Sequence, residues 1–355
     1  PHLRFSPTHP MPATAAYPPQ DRPRPKWPRR MRWFKRVAPG FAAVFVVAVV
    51  TAAIVQARHD RSVAAEYPAP GQLVDIGGCR LHVIERGSGP AVVFEAGAGC
   101  CALDWDAVQT PLASVARTIA YDRAGNAWSD PAPAPRTPPQ ITDELHTLLH
   151  RLGVPPPYVL VGHSLGGIYV QVFARRFPDE VAGLVLVDSS HPEQGKRMGG
   201  FAPDLTPLMI ALAPLGVQRL FLRGGAPAIY RPDVWKARQA VLGRTESVRA
   251  AAREVHAIMG APADGSQLRP LPRPIPIIVL THSQPLLGLP AEKAARFEAT
   301  WRTLQRELAL LSPRGVQRVV PNSSHMIPFG QPAAIVDAVK EILGTLPPPR
   351  PSARN

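Results

Sequence analysis

Apolar positions along this chain fall into three regimes. Residues 37–55 form one unbroken run, VAPGFAAVFVVAVVTAAIV, with no charge in it. From about residue 72 onward, short apolar runs of strand length alternate with longer segments of helical period. Between 192 and 272 the short runs stop and only helical patterns, broken by Gly and Pro, remain.

The short runs predict strands at 72–76, 80–85, 91–95, 118–121, 158–161, 181–187, 275–280 and 316–320. Gly77-Gly78 between the first two is a hairpin signal. Helices are predicted at 141–152, 168–177, 291–311 and 332–343. In the first of these Ile141, Leu145, Leu148, Leu149 and Leu152 share one face. Further helices at 205–215, 233–242 and 246–259 fill the strand-poor stretch. Strands alternating with helices predict an α/β fold, a mostly parallel doubly wound sheet, with 192–272 inserted as a helical cap. The expected organisation is a disordered basic, Pro-rich arm at 1–36, an apolar segment at 37–55 and a linker at 56–71. Core at 72–191, cap at 192–272, core again at 273–346 and a tail at 347–355 follow.

At 1.5 Å per residue the apolar run spans about 28 Å, the thickness of a bilayer's hydrocarbon core. Arg29, Arg30, Arg32, Lys35 and Arg36 precede it. That charge predicts a transmembrane anchor with its N-terminus inside and the rest of the chain outside the cytoplasm. The alternative is a signal peptide cleaved near Val55-Gln56-Ala57, leaving a secreted or periplasmic protein. The run exceeds the usual signal length, which favours the anchor. The chain opens on Pro1, with Met11 and Met31 as candidate starts.

The formal net charge of +14 raises the question of nucleic acid. Residues 1–36 hold nine Lys/Arg against Asp21 alone, so most of the excess lies in the arm. The remaining basic residues are scattered and match no nucleic-acid motif, so no such partner is expected. Cys79, Cys100 and Cys101 are an odd set without C-x-x-C spacing, which argues against a zinc site or a disulfide framework. With no H-E-x-x-H, P-loop or dinucleotide motif, neither metal nor cofactor is expected. No feature of the chain speaks to its oligomeric state.

The chemistry concentrates at Gly162-His163-Ser164-Leu165-Gly166, between a strand and a helix. Glycine at both flanks permits a sharp elbow, with Ser164 at its tip and the Leu165 N–H at a helix N-terminus. A serine so placed is a candidate nucleophile with an oxyanion donor beside it. The alternative is a Gly-rich turn of an ordinary doubly wound sheet.

Residues 72–345 resemble the α/β-hydrolase fold. The matching features come in that family's order. They are the Gly-rich turn Ala96-Gly97-Ala98-Gly99, the segment Asp122-Arg123-Ala124-Gly125 with Trp128-Ser129, the elbow, Asp188 at a strand end, and His325 after the last strand. The resemblance implies that His325 is the base for Ser164, with His163, His191 and His282 as weaker candidates. It implies backbone donors at Leu165 and Ala98 for the oxyanion hole. Many members carry the acid after the strand that follows the cap. Here that strand ends in Leu280-Thr281-His282-Ser283-Gln284, without a carboxylate until Glu292. Asp188, at the end of the adjacent strand, is the preferred acid, with Glu292 as the alternative. Trp105 matches an aromatic downstream of the Gly-rich turn and is read as packing.

Serine, histidine base and N–H donors together perform acyl transfer. The expected activity is hydrolysis of carboxylic esters, including lipid or other apolar acyl esters. An acyltransferase or a proline-type peptidase on the same residues is the runner-up, and a non-catalytic binding protein is the alternative from another class. Relatives that open epoxides use a carboxylate nucleophile, which Ser164 is not. Apolar stretches at 208–212 and 220–222 are expected to line an acyl pocket or to pack the cap helices together.

Overall fold

The computed structural model describes residues 29–132, 135–198, 204–259, 269–285 and 290–347. Most of the expected N-terminal arm, nearly all of the tail and two pieces of the cap lie outside the described residues. The chain divides into two compact units, residues 1–49 and 50–355.

Helix α1 (Arg29–Glu66) carries the apolar run. From Val37 on it is long and apolar enough to cross a membrane, and the side chains of its apolar stretch are exposed, Phe41 and Phe45 among them. The helix does not stop at residue 55. The expected linker at 56–71 is helical through Glu66, and only the last few residues before the first strand connect. The reason is a stripe at helical spacing, Gln56, His59, Asp60 and Val63, which belongs to the second unit and packs within it. Gln56 Nε2 donates to Gly243 O at 2.9 Å, His59 Nε2 lies 3.0 Å from Ala240 O, and Asp60 Oδ1 accepts from Thr245 N at 3.0 Å. Val63 is fully buried.

The second unit is built in chain order from β1 (Gln72–Asp75), β2 (Arg80–Arg86), β3 (Ala91–Glu95), α2 (Asp106–Leu112), β4 (Arg117–Tyr121), α3 (Pro138–Arg151), β5 (Tyr158–His163), α4 (Leu165–Arg176) and β6 (Val181–Val187). Then come the helices α5 (Gln194–Arg197), α6 (Thr206–Leu212), α7 (Gln218–Phe221), α8 (Pro232–Leu242) and α9 (Thr245–Met259). The core resumes with β7 (Ile277–Thr281), α10 (Ala291–Ala309), β8 (Gly315–Val319), α11 (Ile327–Gly330) and α12 (Pro332–Gly344). Among the described residues the eight strands form one sheet in the order β1-β2-β4-β3-β5-β6-β7-β8. The first two strands are antiparallel and the rest parallel, so the sheet is mostly parallel as expected.

Alternation along each strand divides the core into two layers. Val159, Val161, Val185 and Val187 face α2 and α12, whose Leu112, Ile335 and Val339 are buried there. Tyr158, Leu160, Leu184 and Leu186 face α3, α4 and α10, with Leu148, Phe173 and Leu308. Both faces of a parallel sheet are thus covered, which is why its strands read as continuous apolar runs. Full burial of each such side chain contributes about 1.5–3 kcal/mol.

Register then decides what meets at the sheet's edge. His163 pairs with Val187, Val187 with Leu280, and Leu280 with Arg318. The carboxyl ends of β5, β6, β7 and β8 are level. The residues that follow them, Ser164, Asp188, His282 and the loop carrying His325, emerge side by side, where ligands of open α/β sheets are bound.

Candidate active site

Ser164 sits between β5 and α4 with φ 50° and ψ −121°, a left-handed conformation rare for a side-chain-bearing residue. Its neighbours make that turn possible. A Cβ on Gly162 would stand 2.7 Å from Gly166 O, and one on Gly166 would stand 2.3 Å from Glu95 O. Both clashes are with backbone, so only glycine fits. The elbow is therefore wedged against the end of β3, and the Ser164 N–H is tied to Val187 O at 3.1 Å.

Two side chains complete the line. His325 Nε2 lies 3.1 Å from Ser164 Oγ, and His325 Nδ1 lies 2.6 Å from Asp188 Oδ2. A carboxylate only accepts, so Nδ1 carries the proton and Nε2 presents its lone pair to the serine hydroxyl. Asp188 is fully buried, with φ 42°. Burial opposes its ionisation, but hydrogen bonds from His282 and His325 outweigh it and hold the carboxyl well below the usual carboxylate range. The Trp301 indole N–H adds a bond to Oδ1 at 2.9 Å. Asp188, not Glu292, faces His325; Glu292 lies in the first turn of α10.

The other histidines are accounted for separately. His163 turns into the protein and bonds the His325 carbonyl at 3.0 Å. Burial, reinforced by His325, drives its pKa down to about 3, so it stays neutral. His191 is likewise buried and pushed down to about 4 by desolvation. His282 bonds Asp188 itself, through Nδ1 at 2.6 Å.

The Gly-rich turn after β3 lies directly against the serine: a Cβ on Gly97 would stand 3.2 Å from Ser164 Cβ. Ala98 follows in that turn, and Leu165 opens α4 on the other side. Arg123 holds the turn by donating to Ala96 O at 2.6 Å and Gly97 O at 3.0 Å. The same guanidinium pairs with Glu95 and with Glu254 of α9. Burial pushes the Glu95 carboxyl up, against the pull of Arg123, and Tyr121 donates its hydroxyl to it. Sequence reasoning noted Arg123 only as part of a motif and missed Trp301. Trp105 packs as expected, buried against Phe94. Of the apolar stretches at 208–212 and 220–222, Leu208, Met209, Leu220 and Phe221 are exposed, whereas Leu222 packs against the core and lines, with Leu220, an open cavity beside Val55 and His59. An apolar side chain reads the same in sequence whether it faces a core or the surface.

Two groups of ligand-type atoms converge, Asp188 with His282 and His325, and His146 and His150 with Glu180. In the first, both histidine Nδ1 atoms donate to a single carboxylate oxygen, Asp188 Oδ2, at 2.6 Å each. The second belongs to α3 and the turn before β6, at the opposite edge of the sheet.

A profile described as the alpha/beta hydrolase family matches residues 92–338. The chain belongs to that family. This hydrolase is 28% identical over 225 residues to an uncharacterized protein of Schizosaccharomyces pombe, covering 61% of this chain and 39% of the relative. It spans less than half the length of the first curated relatives it matches. Among solved structures, a thermophilic esterase from Thermogutta terrifontis superposes with TM-score 0.56 at 25% identity, covering 77% of this chain and 98% of that one. The epoxide hydrolase CorEH gives 0.59 at 21%, covering 78% and 99%, which speaks to the fold alone. Its family is one of hydrolases, and its N-terminal apolar helix fits a membrane anchor.

Proposed function

We propose that this chain is a serine hydrolase that cleaves carboxylic esters, with apolar or lipid acyl groups as the substrate class. The observation that carries this reading is the 3.1 Å approach of His325 Nε2 to Ser164 Oγ, with Asp188 behind the ring. In this account Ser164 attacks the ester carbonyl while His325 takes its proton. Negative charge develops on the carbonyl oxygen and is met by the Leu165 and Ala98 N–H groups. His325 returns the proton to the departing alcohol, leaving an acyl-enzyme. Water, activated by the same histidine, then releases the acid. Asp188 orients the imidazole and stabilises it once charged. A hydroxyl at the elbow speaks against epoxide opening, which in this fold calls for a carboxylate there.

The same reading has the enzyme on a membrane, held by the apolar run at 37–55, with its catalytic domain outside the cytoplasm. Gln56 and Val63 support an uncleaved helix: processing near residue 57 would remove the bond from Gln56 to Gly243. Purified full-length protein in detergent, offered p-nitrophenyl esters of graded chain length beside an aryl epoxide, tests the substrate class. Turnover of esters with a preference beyond acetyl is expected; turnover of the epoxide alone would overturn it. Added alcohol acceptors separate hydrolysis from acyl transfer.

A further inference from the structure

We propose that His282 is a positioning residue for the acid of this site, held as an imidazolium between Asp188 and Glu298 so that it fixes the Asp188 carboxylate and offsets part of the charge that carboxylate presents to His325. The inference rests on the serine-hydrolase reading above.

His282 follows β7, the place where the resemblance led us to look for a carboxylate. It instead grips the carboxylate of the neighbouring strand end. Its backbone N–H donates to Asp188 Oδ1 at 3.1 Å and its ring Nδ1 to Oδ2 at 2.6 Å. Its other ring nitrogen, Nε2, lies 2.9 Å from Glu298 Oε2 on α10. A neutral imidazole has one N–H, whereas both nitrogens here face oxygens that only accept. Both therefore carry protons. The ring is 2% exposed; burial works against the charge, but the two carboxylates prevail and raise its pKa.

Among the described residues, the groups facing this ring come from two elements. Asp188 comes from β6 and Glu298 from α10, and the Trp301 indole, also from α10, closes the remaining side of Asp188. Across Asp188 stands His325, whose ring lies 5.0 Å from that of the neutral His163. Asp188 Oδ2 thus receives an N–H from each of two histidines. With four donors on its two oxygens the carboxylate cannot rotate, so His325 is presented to Ser164 in one orientation. A cation on the same carboxylate offsets part of the negative charge facing the His325 ring, which the acid limb of the rate profile reads.

Two variants of the full chain separate these effects. His282→Asn keeps a donor toward Asp188 but removes the charge. Its acid limb in kcat/KM against pH, read with a soluble p-nitrophenyl ester, moves up by about one unit, and the plateau falls, though less than in His282→Ala. His282→Ala loses the donor as well and drops the plateau by roughly tenfold or more. An unmoved acid limb in His282→Asn overturns the proposal. Should the variants not fold, ¹⁵N spectra of the wild-type histidines decide. Two protonated ring nitrogens on His282 at pH 7.5 support the proposal, and a neutral tautomer there overturns it. Failure of the wild type to react with a fluorophosphonate at Ser164 defeats the hydrolase reading itself, and is told apart because the ¹⁵N signature does not depend on turnover.

Discussion

Arg123, in the loop after β4, and Glu254, on cap helix α9, meet as a buried bidentate pair across 131 residues of sequence, with Nε to Oε1 at 3.0 Å and Nη2 to Oε2 at 2.8 Å. Because the same guanidinium holds the carbonyls of Ala96 and Gly97, one side chain ties the cap to the turn beside Ser164. Replacing it with Met strands two buried carboxylates, Glu95 and Glu254. A loss of about 3–5 kcal/mol in urea unfolding is expected. Arg123→Lys keeps the charge without the fork and is expected to lower kcat roughly tenfold with a smaller stability loss. A wild-type unfolding midpoint in Arg123→Met would contradict this.

Asp188→Asn tests the acid. The change preserves shape but removes the charge that stabilises a protonated His325. Turnover is expected to fall by about three to four orders of magnitude, with circular dichroism unchanged. Near-normal turnover would retire Asp188 from that role.

Acid should destabilise the fold through His163 and His191. Both are depressed in the folded state, to about 3 and about 4, whereas an unfolded histidine titrates near 6.5. Below about pH 6.5 the unfolded chain binds protons that the native one refuses. Their stabilisation is complete above pH 6.5 and is lost as pH falls toward 4, by on the order of a few kcal/mol. Urea titrations at pH 7.5, 5.5 and 4.5 should show a steady fall, and His163→Gln should flatten it. Equal stability at all three values would contradict the account.

Gly166→Ala probes the elbow. The added methyl would stand 2.3 Å from Glu95 O, a backbone atom inside the sheet. Relief requires β3 or α4 to shift, so a loss of about 1–3 kcal/mol and a larger proportional loss of activity are expected. Thermal melts beside ester turnover would check it; a wild-type melt with full activity speaks against the packing described.

The legible parts of this molecule are those set by local pattern. Strand-length apolar runs marked the sheet, and Gly162 and Gly166 marked the turn. Asp188 could be named from its place at the end of the strand adjacent to the elbow strand, and His325 from the family resemblance. What escaped depends on side chains from distant segments. Trp301 reaches Asp188 across 113 residues, and nothing in its own neighbourhood announces it. The docking stripe on α1 was hidden for another reason. Its Gln56, His59 and Asp60 follow the apolar run and so read as a linker, although their polar groups bond Gly243, Ala240 and Thr245 within the same unit.

The central claim is that Ser164 is the nucleophile. Intact full-length enzyme treated with a fluorophosphonate, then digested and mapped by mass spectrometry, tests it most directly. The account predicts one phosphonyl group, on Ser164, absent in Ser164→Ala and slowed by orders of magnitude in His325→Ala. Ester turnover that persists with Ser164 unlabelled, or a label on another residue, would contradict it.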